Sequence, residues 1–275
     1  MKSGDHAFEV GVIGGGPAGS AAAITLARAG RSVLLIEKAD RETFKVGESL
    51  PPAITPLLRE LGVFERFKSD QHLISDGNES SWGGASLERT DFARDPTGLG
   101  WHVDRPRFDA MLRDAARDAG AYVVEATRVA NCERCDSGAW RLALEGISGS
   151  SQARASWLID CTGRRSWLAR REGVKRRAYD NLMAFVALFH ADATAQELDS
   201  DSFTLVEPVE DGWWYTARIP NGRRVVVYLT DTGTKSANSA RSEEGYRGLL
   251  EETIHIRARL HSYSCAMMGA LWWPA

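Results

Sequence analysis

The residues with the clearest chemical meaning stand near the start. Gly14-Gly15-Gly16-Pro17-Ala18-Gly19 fits the spacing G-x-G-x-x-G. An apolar run, Phe8–Ile13, precedes it, and an alanine-rich stretch of helical composition, Pro17–Ala29, follows. A second apolar run, Ser32–Ile36, ends at Glu37. Glycines here allow a tight turn (Gly14), close approach of backbone to a pyrophosphate (Gly16), and close packing of helix on strand (Gly19). Pro17 suits a first helical turn, where its missing N–H is not needed. The helix amino terminus offers amide donors and the positive end of a dipole to phosphate. Glu37, 18 residues after Gly19, is placed to accept hydrogen bonds from the ribose hydroxyls of an adenosine. Lys38 follows it. A carboxylate at position 37 repels a 2′-phosphate, which argues against NADP.

Around this cradle the chain reads as strand, helix, strand over about 30 residues, the βαβ unit. Pro51–Leu61 reads as a helix stopped by Gly62. The cleanest helix is Arg107–Ala119. Its Phe108, Met111, Leu112, Ala115, Ala116 and Ala119 form one apolar face, closed by Gly120. Residues 75–100, rich in Gly, Ser and Asp, read as loops or edge strands. Further strands are expected at Tyr122–Val124, Trp140–Leu144, Ala155–Ile159, Leu182–His190, Ser202–Val206, Trp213–Ile219 and Val225–Thr230. Asn221-Gly222 signals a type I′ hairpin, and Glu243–Leu260 reads as a helix.

The expected fold is α/β: a Rossmann-like nucleotide-binding domain interleaved with a mainly antiparallel sheet domain on the substrate side. Residues 1–70 and 101–178 fall to the first, 71–100 and 179–235 to the second, and 236–275 to a carboxy-terminal helix and end.

Composition sets the outer limits. The 275 residues are 43% hydrophobic and 26% charged, with a net charge of −3. Such a chain can bury a core without disulfides, and nothing in its charge points to nucleic acid or a membrane. The longest apolar run, Leu182–Phe189, is far short of a membrane span. The start, MKSGDHAFEV, lacks the apolar stretch of a signal peptide. A cytoplasmic location is expected, and four scattered cysteines agree with it. Cys132-Glu133-Arg134-Cys135 has no second pair and does not open a helix, so neither a metal site nor a thioredoxin-type motif is expected. The basic stretch Arg164–Arg177 reads as a solvated face, with docking of an acidic partner as the alternative.

The cradle alone does not separate FAD from NAD. Three further segments carry a resemblance. Lys45-Val46-Gly47-Glu48-Ser49-Leu50-Pro51-Pro52 resembles the "GES-P" segment of flavin-dependent halogenases and related flavoprotein monooxygenases. Trp101–Asp109 resembles the "R-x-x-F-D" helix start of that group and of geranylgeranyl reductases. Trp157-Leu158-Ile159-Asp160-Cys161-Thr162-Gly163-Arg164 resembles the strand and turn "D-A-T-G" that closes on FAD. With the cradle, the resemblance covers most of residues 8–230. It implies an FAD-binding fold of the hydroxybenzoate-hydroxylase type. On it, Arg105 contacts the pyrophosphate or ribityl region of the flavin. Val129 lies where backbone holds the adenine. Thr162 and Gly163 turn near the pyrophosphate, with Asp160 either at the cofactor or capping the strand end. Glu48 and His102 are the candidate catalytic residues, Glu48 close to the flavin.

The resemblance also leaves differences. Halogenases carry W-x-W-x-I-P. Counting back from Ile219-Pro220, the two Trp positions hold Tyr215 and Ala217. The halogenase lysine after the "GES" helix has no counterpart in Ile74–Gly84. Gly212-Trp213-Trp214-Tyr215 looks more like a branch that includes flavoproteins modifying a partner's tryptophan to a quinone cofactor. Trp213, Trp214 and Tyr215 either line a substrate face or alternate into the core. The expected activity is monooxygenase-type oxidation of an aromatic or protein-bound substrate by reduced FAD and O2, with NAD(P)H or a flavin reductase as electron source. A geranylgeranyl-type reductase, a tryptophan-halogenase relative and an inactive flavoprotein are the alternatives. The family's late Gly-Asp motif is missing, since the one Gly-Asp pair, Gly4-Asp5, precedes the cradle. A truncated carboxy terminus is therefore expected. The nucleotide-binding sheet would lack a strand, and Met267, Met268, Leu271, Trp272 and Trp273 would have little to pack against. Weak FAD binding and a tendency to aggregate would follow.

Overall fold

The computed structural model describes residues 6–39, 45–147, 149–191 and 199–273. Gly4-Asp5 and Pro274-Ala275 lie outside them. The chain divides into two units. The first comprises Met1–Val46, Leu57–Asp70 and Arg105–Arg176, and the second Gly47–Pro56, Gln71–Asp104 and Arg177–Ala275.

The first unit is built on a six-stranded sheet in the order Tyr122–Val124, Val33–Ile36, His6–Ile13, Gly149–Asp160, Trp140–Gly146, Thr127–Arg134. The first four strands run parallel, and the last two add an antiparallel meander. Val33–Ile36 is buried at every position, as a parallel strand covered on both faces must be. The helices Pro17–Arg28 and Arg105–Asp118 pack together. Trp140, Leu142, Leu144, Ala153 and Leu168 form a core with Ile13, Leu34 and Ile36. Strand Trp140–Gly146 reaches only to Ala155, so among the described residues Trp157–Asp160 pairs on one side alone. Trp157 is 73% exposed there.

The second unit holds a seven-stranded sheet in the order Cys265–Trp273, Leu182–Ala191, Arg223–Asp231, Gly212–Ile219, Phe203–Val209, Gly77–Ser80, Glu88–Asp91. A small sheet joins Ser49–Leu50, Gly100–His102 and Leu73–Ser75. Asn221 and Gly222 both take positive φ, 69° and 65°, the type I′ geometry the dipeptide predicts. One face of the large sheet carries Phe185, Ala187, Phe189, Trp214, Val226 and Tyr228. The carboxy-terminal helices cover it with Ala237, Tyr246, Leu250, Ile256 and Leu260. Trp214 stacks on Tyr228 at 4.7 Å and meets the edge of Tyr246 at 5.0 Å.

One expectation is corrected here. Glu243–Leu260 is not one helix but two, Glu243–Glu251 and His255–Ser262. The Glu207 carboxylate accepts from the amides of Ile254, His255 and Ile256, which starts a new helix after the break. The segment after the second helix is the strand Cys265–Trp273, antiparallel to Leu182–Ala191. Residues 236–275 are thus part of the second unit.

Candidate functional site

The cradle is built in the first unit from close backbone contacts. A Cβ on Gly14, whose φ is +107°, would lie 2.2 Å from the Cys161 carbonyl oxygen. One on Gly19 would lie 1.8 Å from the Gly14 carbonyl oxygen. Gly16 differs: a Cβ there meets no atom within 4 Å. Gly16 is the N-cap of helix Pro17–Arg28 and supplies no side-chain cap. Pro17 occupies the first turn, and Ala18 is exposed in it. An uncapped helix start with open space over its cap residue fits a pyrophosphate.

Glu37 is 6% exposed, and both of its carboxylate oxygens hold backbone amides. Oε2 accepts from Gly15 at 2.6 Å and Oε1 from Ala39 at 2.8 Å. It therefore braces the turn, and a ribose hydroxyl would use the second lone pair of each oxygen. Lys38 is exposed beside it. Partial desolvation, and then the Arg165 guanidinium, draw its ammonium below the ordinary lysine range.

Other expected site residues gather around the same turn. Cys161 donates its amide to Ile13, which brings the Asp160–Gly163 turn against the cradle. Asp160 is the strand-end cap. Its Oδ1 accepts from the Thr162 amide and hydroxyl at 3.0 and 2.6 Å, and its Oδ2 from Leu168 and Ala169 at 2.9 and 3.1 Å. Desolvation pushes its pKa up, but these hydrogen bonds outweigh it and hold the carboxyl below its ordinary value. Gly163 has φ +62°, with open space where a Cβ would stand. The Thr127 amide donates to the Glu37 carbonyl, which sets the strand of Val129 beside Glu37, and Val129 itself packs in the core. Arg105 donates to the Val46 carbonyl at 2.6 Å and to Asp109 Oδ1 at 3.3 Å. Lys45 reaches the other Asp109 oxygen at 3.0 Å. The two cations thus share one buried carboxylate.

Sequence reading missed Arg113. It is 1% exposed on helix Arg105–Asp118 and donates to the Gly15 carbonyl at 3.2 Å and to Glu125 at 2.5 Å. The available signal was a charged residue one position from the apolar stripe of that helix, at Leu112.

In the second unit, the sheet face opposite the helices carries the remaining candidates. Strand alternation puts Trp214 on the helix-covered face and Trp213 and Tyr215 on the other. Trp213 meets Trp82 edge-on at 6.2 Å, and Trp82 is 59% exposed. Glu48 is 4% exposed and accepts from the Gly47 amide at 3.1 Å. Tyr215 donates its hydroxyl to Glu48. Burial, and then the Glu48 charge and hydrogen bond, drive the Tyr215 pKa far up, so the phenol keeps its proton. His102 is wholly buried and shares a 2.8 Å hydrogen bond with Thr204, which also meets Ser49 at 3.2 Å. Burial, and then the charges of Arg224 and Arg218, lower the His102 pKa to about 4. The enclosed imidazole thereby links the small sheet to the strand Phe203–Val209 of the large one.

The family of FAD binding domain proteins matches residues 7–265. The chain belongs to that FAD-binding family. Its cofactor is FAD, and the cradle, Glu37 and the Asp160–Gly163 turn are the features of the first unit that fit it. Among relatives of this FAD-binding chain is the 1H-pyrrole-2-carbonyl-[peptidyl-carrier protein] chlorinase of Pseudomonas fluorescens, 29% identical over 288 residues. The match takes in 94% of this chain and 62% of the chlorinase. A flavin-dependent halogenase of Armillaria mellea is 30% identical over 262 residues, 89% of this chain and 51% of the halogenase. Among solved structures, the myxobacterial chondrochloren halogenase CndH superposes with a TM-score of 0.81 at 25% identity, over 95% of this chain and 61% of that one. The chain spans about half to three-fifths of the length of these relatives. No helix among the described residues is long and apolar enough to cross a membrane.

Proposed function

We propose that this chain works in monooxygenase-type oxidation of an aromatic substrate, either a small molecule or a group borne by a partner protein. Once reduced by NAD(P)H or a flavin reductase, FAD supplies the activation of O2. The chain's own residues supply position. The Gly16 turn and the helix start hold the pyrophosphate, Glu37 the ribose, and Arg105 the middle of the cofactor. Glu48 serves as the carboxylate of the substrate side, and Tyr215 keeps it oriented by donating a hydrogen bond.

The observation that carries this reading is the Tyr215–Glu48 pair. Tyr215 occupies a position where the halogenase motif has tryptophan, and its hydroxyl is spent on a buried carboxylate. The second reading is halogenation, favoured by the names of the relatives. Against it stand Ala217 at the other motif position and the absence of lysine from Ile74–Gly84. Incubation with reduced FAD, O2, bromide and a panel of phenols, indoles and pyrroles, followed by mass spectrometry, separates the two. Addition of oxygen supports the proposal, and addition of bromine supports the alternative.

A further inference from the structure

We propose that Arg113 is a positioning residue of the nucleotide cradle: it fixes the peptide plane between Gly15 and Gly16 so that the Gly16 amide faces the pyrophosphate. This rests on the assignment of the cradle to FAD.

The Gly15 carbonyl accepts from Arg113 Nη1 at 3.2 Å and from Ser20 Oγ at 3.2 Å. A trans peptide is planar, so its carbonyl and the next amide point in opposite directions. Drawing the Gly15 oxygen towards Arg113 and Ser20 turns the Gly16 N–H the other way. Among the described residues no acceptor takes that amide, and the space over Gly16 is open. The other side of Gly15 is held too, because its own amide donates to Glu37. A Cβ on Gly15 would lie 2.8 Å from both Arg113 Cδ and Glu37 Cβ, so the glycine is gripped between them.

Charge pairing alone does not account for Arg113. Glu125 already has a partner in Arg117, whose Nη2 lies 2.7 Å from Oε2, and Arg117 is one-third exposed. Burying a second guanidinium to 1% exposure carries a desolvation penalty that a surface pair avoids. What burial adds is reach to the Gly15 carbonyl from behind the turn, where a charged donor gives a stronger bond than a neutral one. Glu125 then acts as the anchor that keeps the guanidinium in register.

The test uses the full chain with FAD and ADP as probes, by calorimetric titration, alongside thermal unfolding of the cofactor-free protein. Arg113→Met is expected to weaken both ligands alike by about tenfold to a hundredfold, the worth of a hydrogen bond from a charged donor. ADP matters because it has the adenosine and pyrophosphate and no flavin. Arg113→Lys keeps the charge but loses the fork, and restores affinity only in part. Ser20→Ala, which removes the neutral donor, weakens ADP by a smaller factor with the unfolding midpoint little changed. A folded Arg113→Met protein with unchanged ADP affinity overturns the proposal. If that variant does not fold, Arg113→Lys and Ser20→Ala decide, and unchanged ADP affinity in both overturns it equally. A wild-type chain that binds neither probe overturns the cofactor assignment itself, and this inference with it.

Discussion

The Gly15 amide donates to the Glu37 carboxylate at 2.6 Å, and this bond ties the turn after the first strand to the end of the second. Glu37 therefore braces the turn inside the protein, and the proposed function gives it a second duty towards the ribose. Glu37→Ala is expected to weaken FAD binding by about 1.5–3 kcal/mol, the value of hydrogen bonds to a charged acceptor. It should also lower the unfolding midpoint of the cofactor-free protein, because the Gly15 and Ala39 amides lose their acceptor. Fluorescence titration and thermal unfolding check the two effects. Unchanged FAD affinity would remove Glu37 from the ribose site.

Tyr215→Phe should destabilise the fold by about 1–3 kcal/mol, since it strips a hydrogen bond from the buried Glu48. Adding Glu48→Gln should recover part of the loss, because a neutral amide tolerates burial better than a carboxylate that has lost one of its donors. Urea unfolding of the single and double variants measures the coupling. Purely additive losses would show that the pair is incidental.

His102 should make stability depend on pH. Its pKa is lowered from 6.5 to about 4 by burial first, then by Arg224 and Arg218. Between those values the unfolded chain binds the proton and the folded chain does not, so stability rises with pH. The contribution is fully present above about pH 6.5 and is lost as pH falls towards 4, on the order of 3 kcal/mol in all. His102→Gln should flatten the profile in that window. Equal slopes in wild type and variant would contradict the burial argument.

Local signals carried much of this fold. The glycine spacing gave the cradle, and Asn221-Gly222 gave a hairpin, because each depends on residues that meet within a few positions. Strand alternation left Trp213, Trp214 and Tyr215 open between core and substrate face, and only the helix packing on Trp214 decides which is which. The break near residue 253 was hidden because its cause, Glu207, lies far back in the chain. Arg113 and the Glu48–Tyr215 contact escaped for the same reason: their partners are distant in sequence. Asp160, read as cofactor residue or strand-end cap, takes the cap role in four hydrogen bonds.

No halide should be incorporated when the chain is given reduced FAD, O2 and bromide with an indole or a phenol. The reason is chemical: the lysine of the halogenase pattern is missing from Ile74–Gly84, and Tyr215 and Ala217 replace both motif tryptophans. A brominated product by mass spectrometry would reverse this reading.

Titration of the purified chain with FAD, with ADP as competitor, tests most directly whether FAD sits at the Gly14–Gly19 cradle. Saturable one-to-one binding that ADP displaces, and that Gly16→Val abolishes by filling the open space over the turn, is the predicted result. FAD fluorescence unaffected by the protein, or binding that neither ADP nor Gly16→Val disturbs, would contradict it.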